Sequence, residues 1–246
     1  MNAGFNDRFE GLRRFEHSSS NVVIRRYLNA TKFLDFLRTW ELYFAPASKF
    51  SDKEEGFFTL ADQTAREHHL RQLHVPERTM NSARRAWDTI AISNAKAVVI
   101  SCWTMGEAEN PRIWKEYGKS NDAVAIETSL DALRRSLGRE FLAVPVRYVD
   151  RDQTLLPDGH SLIPFFYKGL DYSWEVELRF IAEMVVGERL GTPRRISVPP
   201  DKVAFRFVLA PGASGIRKDE VKRLLSSYCP PIVVVRSSLT DDAVSW

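Results

Sequence analysis

From Val22 onward the apolar positions fall into short segments whose spacing switches between the periods of strands and helices. VVIRRYL is rich in β-formers, and Asn29 or Thr31 then caps a helix through TKFLDFLRTW, where Phe33, Phe36, Leu37 and Trp40 recur at helical spacing. ELYFA returns as a short strand, followed by APASKFSDKEEG, a loop of turn formers and charge. From Ala61 to about Ala95 the chain is polar and helix-favouring, and Pro76 divides it into two helices. KAVVISCW, from Lys96 to Trp103, predicts a buried strand and NDAVAIE a second one. Between them ENPRIWKEYGK reads as a short helix opened by Pro111 and closed by Gly118. SLDALRRSLG is another helix, bounded by Ser129 and Gly138, and FLAVPVRYVD and PFFYKGL are strands, with Pro145 marking an edge or a bulge. KVAFRFVLAP and PPIVVVRSS add two strands around a helix through DEVKRLLSSY.

The sharpest alternation is in WEVELRFIAEM. Trp174, Val176, Leu178, Phe180 and Ala182 share one face, and Glu175, Glu177 and Arg179 the other. A solvated strand would carry the same pattern. If that face lines a cleft instead, two carboxylates roughly 6–7 Å apart could bind a ribose hydroxyl, stabilise a cationic sugar or orient a nucleophile. Strands and helices alternate irregularly, without a βαβ repeat, which predicts one α+β domain over 21–246 with a mainly antiparallel or mixed sheet flanked by helices. The polar start, ending in Ser18, Ser19 and Ser20, reads as a flexible arm over 1–20.

Composition agrees with an ordinary globular chain: 246 residues, 44% hydrophobic and 27% charged. A net charge of +3 permits contact with nucleic acid or a phosphorylated ligand without requiring it. Cys102 and Cys229 are too few for a disulfide framework and lack zinc-site spacing, so the expected setting is the reducing cytoplasm. The start has no apolar stretch of secretory type, and no apolar run approaches the roughly 18 residues of a membrane helix. Walker, GxGxxG, GxSxG and HExxH motifs are absent. GASG, from Gly212 to Gly215, reads as a plain loop, with a phosphate cradled by helix N-terminal amides the alternative, and His68, His69 and His74 lack a matched ligand set, so no metal is expected. Cys102 reads as core, and Trp114 and Tyr117 as residues packed on the sheet, with stacking on a cofactor base the alternative.

Four segments, RRYLNATKFLDFLRTWELYFAPASKFSDKEEG, SCWT, PRIWKEYGKSNDAVAIE and YSWEVELRFI, resemble the bacterial domain of unknown function 2971 family in order and spacing from about Arg25 to Ile181. Departures are mild: Phe50-Ser51-Asp52 stands for Phe-Asn-Asp, Trp103 for Phe and Ile113 for Met. A second resemblance is to ADP-ribosyltransferases of the arginine-serine-glutamate type, with Arg25 or Arg26 on the first strand, Ser101 and Thr104 on a middle strand, and Glu175-x-Glu177 on a late strand. It implies a split sheet and NAD as substrate. Arg26 would hold the pyrophosphate, with Tyr27, Ser101, Thr104 and Tyr117 also on the cofactor side. Glu177 would stabilise the cationic sugar and Glu175 would orient the acceptor, while Tyr172 and Arg179 would face the substrate. It further implies a macromolecular acceptor, protein or nucleic acid, a toxin or defence effector role, and an antitoxin or inhibitor as a further partner. The rival readings are a metal-dependent nuclease using Glu175, Glu177 and Asp171, and a binding module without catalysis.

Overall fold

The computed structural model of the chain describes residues 9–19, 22–213, 215–226 and 232–244. Cys229, Ser20 and Ser214 of the GASG segment lie outside the described residues. The architecture is mixed α+β, with a nine-stranded, mainly antiparallel sheet flanked by helices.

Strand β1 (Val23–Leu28) leads into helix α1 (Ala30–Thr39), whose N-terminus is capped by Asn29 accepting from the Lys32 amide. Strand β2 (Glu41–Pro46) follows, then helices α2 (Leu60–Gln72) and α3 (Glu77–Ala97), separated at Pro76. Strand β3 (Val98–Met105) runs into α4 (Pro111–Ile113) and a π-turn at Trp114–Gly118, then β4 (Val124–Ser129) and α5 (Leu130–Leu137). Next come β5 (Leu142–Pro145), β6 (Arg147–Val149), β7 (Tyr167–Gly169) and β8 (Glu177–Glu183). Strands β9 (Arg194–Ser197) and β10 (Arg206–Leu209), helix α6 (Gly215–Leu225) and β11 (Val233–Arg236) complete the order. The alternation of the sequence had not marked β9, whose backbone pairs along the free edge of β2. Among the described residues only β10 with β11, and β6 with β7 in a separate ribbon, are parallel.

Strand β3 organises the site. Along one edge it pairs with β8 from Val98↔Glu183 to Thr104↔Glu177. The opposite edge is shared: β1 pairs with its C-terminal end (Arg25↔Thr104) and β2 with its N-terminal end (Ala45↔Ile100). Between these two contacts β1 and β2 part, so the sheet splits beside Ser101–Trp103. One face packs Val99, Trp103, Leu178 and Phe180 against Phe33, Phe36 and Leu37 of α1 and Leu130, Leu133 and Leu137 of α5.

Two expectations need correcting. Residues 9–19 do not form a loose arm: Phe9, Leu12 and Phe15 recur every third residue, match the period of the 3-10 helix at Glu10–Phe15, and are buried. Arg13 Nη2 donates to the Arg139 carbonyl at 2.7 Å, and Glu16 accepts from the Ala143 amide at 3.0 Å. The strand read from Trp174 starts instead at Glu177. Leu170–Glu175 is a 3-10 helix ending at Val176, which has φ of 44° and is 46% exposed. The left-handed turn at Val176 takes its side chain out of the apolar face the alternation assigned to it.

Candidate active site in the sheet split

The split opens into a cleft of about 780 Å³, within the range of small-molecule sites. Its walls come from β1 with α1 and from β2 with the Lys49–Asp52 loop, its floor from β3, and its far end from Tyr117, Lys168, Tyr172, Glu175 and Glu177.

The far end is a buried charge network. Glu175 and Glu177 are 4% and 5% exposed and Arg179 is fully buried, so these side chains are not a solvated strand face. Arg179 donates through Nη1 and Nη2 to both oxygens of Glu55 at 2.7 and 2.8 Å, and through Nε to Glu177 Oε1 at 2.9 Å. Its Nη1 also reaches the Phe165 carbonyl at 2.8 Å. Arg179 therefore cannot contact a substrate as expected; a guanidinium with no exposed surface and every arm engaged is structural. Lys168 Nζ sits 2.6 Å from Glu175 Oε2 and 3.6 Å from Glu177 Oε2, with the Tyr172 ring centroid 4.1 Å away. The Tyr117 hydroxyl donates to Glu175 Oε1 at 2.6 Å, although the ring is 48% exposed.

Electrostatics follows from this packing. Burial alone would push the Glu177 carboxyl up, but Arg179 and Lys168 outweigh it and hold the group well below the usual carboxylate range. Glu55 moves the other way, because burial exceeds the pull of an Arg179 charge it shares with Glu177. Burial would lower Lys168, yet Glu177 and Glu175 raise it on balance. Burial pushes the Cys102 thiol, which lies against Glu177, well up, so it is a poor nucleophile. Burial and the bond to Glu175 likewise raise Tyr117.

The residues expected on the cofactor side divide between the two faces of the sheet. Register puts Arg25, Thr104 and Glu177 in one row across β1, β3 and β8, on one face. Arg25 is committed within the protein: Nε donates to Glu127 at 2.7 Å and Nη1 to the Gly106 and Ala108 carbonyls. Ser101 is three residues from Thr104 and so points to the opposite face, where it is fully buried. Its Oγ accepts from Trp103 Nε1 at 3.0 Å and from Arg26 Nη1 at 2.7 Å, so it steadies Arg26 and does not reach the cleft wall as expected. Arg26 fills the fork between β1 and β2 and lines the cleft. Among the described residues its guanidinium pairs with no carboxylate, and burial lowers its pKa. Tyr27 is buried edge-on against Trp114, ring centroids 4.7 Å apart, with burial raising its hydroxyl to about 12. Trp114 is core, as expected; Tyr117 is on the cleft.

Sequence reasoning missed Lys168 and Glu55. A lone lysine inside the apolar run FFYKGL was the available signal, since a buried ammonium requires partners. Glu55 lies in a charged loop and carried none. Its placement depends on Gly56, at φ 79°, where a Cβ would clash with the Phe165 ring.

Chemically, the cleft offers one desolvated guanidinium at the fork, exposed Lys32, Lys49 and Lys119 around it without carboxylate partners among the described residues, and two aromatic rings beside a carboxylate pair. Lys168 occupies the position between the two carboxylates where a bridging divalent ion would sit. Among the described residues no helix is long and apolar enough to cross a membrane. No protein-family model, curated protein or solved structure matches the chain.

Proposed function

We propose that the cleft binds NAD and transfers its ADP-ribose group to a macromolecule, protein or nucleic acid, in the bacterial cytoplasm, as a toxin or defence effector does. We also keep, as part of this reading, the resemblance to the bacterial domain of unknown function 2971 family and an ADP-ribosyltransferase-like fold. The observation that carries it is the adjacency of β1, β3 and β8, which brings Arg26, Thr104 and Glu177, with Glu175 just ahead of β8, to one cleft. Distant in sequence, they meet at the split of the sheet.

In this reading Arg26, steadied by Ser101 and without a carboxylate partner among the described residues, receives the pyrophosphate by charge-assisted hydrogen bonds, and nearby lysines add attraction at the mouth. Tyr117 and Tyr172 flank the nicotinamide end. The bond between ribose C1′ and the nicotinamide nitrogen breaks, the pair leaves with nicotinamide and neutralises its ring, and the anionic pair faces the positive charge that grows on the ribose. The acceptor nucleophile bonds to C1′ and releases its proton to Glu175. The test is nicotinamide release from NAD by the full chain, alone and with cell extract supplying the acceptor, beside thermal stabilisation by NAD. Arg26→Met loses both responses if the reading holds; their absence from the unaltered protein overturns it.

A further inference from the structure

Three carboxylates, Glu55, Glu175 and Glu177, share two cations, Arg179 and Lys168, in a nearly water-free site. Arg179 spans Glu55 and Glu177 and does not reach Glu175. Among the described residues Lys168 is the one cation that touches both members of the Glu-x-Glu pair. The other titratable groups facing them are neutral near pH 7 and burial raises each: Cys102 and Tyr117 donate to Glu177 and Glu175, and the Tyr148 hydroxyl accepts from the Glu177 amide. Tyr172 offers its ring face to the ammonium.

We propose that Lys168 is a positioning residue whose ammonium keeps Glu175 and Glu177 ionised together, so that one can face the sugar cation while the other takes the acceptor proton. The inference rests on the transferase reading for that division of labour. Its charge argument is independent. Without Lys168, one guanidinium would face three carboxylates, and two neighbouring carboxylates cannot both stay charged in a dry site; one would take a proton.

The test compares Lys168→Met, Lys168→Arg and Lys168→Met/Glu175→Gln with the unaltered protein, measuring Tm from pH 5 to 8. In Lys168→Met a carboxyl of raised folded pKa adds stability in acid that is lost as pH rises through that value. The expected Tm of this variant therefore falls toward pH 8 relative to the unaltered protein, while Lys168→Arg and the double variant show no such fall. If Lys168→Met does not fold at neutral pH, recovery of folding by the added Glu175→Gln supports the proposal. A parallel Tm profile in Lys168→Met, or no recovery in the double variant, overturns it. In NAD cleavage the acid limb of Lys168→Met moves up by at least about one pH unit, a tenfold loss at a fixed pH on that limb. Absent cleavage by the unaltered protein removes the transferase reading, and the Tm profiles still decide the charge role of Lys168.

Discussion

Arg26 and Arg179 show how two arginines of one sheet serve opposite ends: Arg179 is fully buried, whereas Arg26 is partly buried and lines the cleft. A desolvated guanidinium held by one serine hydroxyl is an uncompensated cost to the folded state, whereas Arg179 pairs with two buried carboxylates that share its charge. Arg26→Met should leave the Tm unchanged or higher while abolishing stabilisation by NAD, as expected where a binding group is kept at the expense of stability. Arg179→Met should destabilise by about 3–5 kcal/mol in denaturant titration, because Glu55 and Glu177 lose their partner. Glu177→Gln falls in the same class, so a fall in its activity must be corrected for folded fraction. The folded pKa of Glu177 is depressed, so its contribution is fully present above the ordinary carboxylate value of about 4.3 and is lost as pH falls through the lower folded value. Glu55 has the opposite sign and gains on acidification first. Stability should thus hold or rise slightly from neutral pH to about 4 and fall below it, readable as Tm against pH.

At the scale of elements, the segments with an uninterrupted period were legible: β3, β4, α1 and α5 emerge where the apolar pattern and the caps Asn29, Ser129 and Gly138 set them. The alternation through Trp174–Val176 misled because a 3-10 turn followed by a left-handed residue preserves the polar–apolar sequence while changing which way the side chains point. Whether Glu177 and Arg179 faced water or protein depended on what covers β8, and Glu55, more than a hundred residues earlier, is a large part of that cover. The loop bearing Glu55 is fixed at two places. Thr59 and Asp62 form a capping box at the start of α2, and Asp62 also accepts from the Leu156 amide at 3.1 Å. Asp62→Ala should cost about 1–2 kcal/mol in chemical denaturation. Gly56→Ala should cost more than an ordinary surface change, since it meets both an unfavourable φ and the Phe165 ring; an unchanged denaturation midpoint would mean the loop yields.

For the whole molecule, the split of the sheet was expected only through the resemblance, since periodicity reports which face of a strand is apolar and not which strand is its neighbour. Once β1 and β2 share one edge of β3, a fork must open between them, and the residue at the fork meets the cleft whatever its face. This accounts for Arg26 reaching the cleft beside Glu177 although Ser101, its anchor, belongs to the other side. The transferase proposal requires this fork and the carboxylate pair to bind and cleave one dinucleotide. The most direct measurement is nicotinamide release from NAD by the full chain with cell extract as acceptor source, run beside Arg26→Met at equal folded fraction. Release by the unaltered protein and a loss of about a hundredfold or more in the variant are expected. Equal release by the two proteins, or none by either together with no thermal shift on adding NAD, would contradict the proposal.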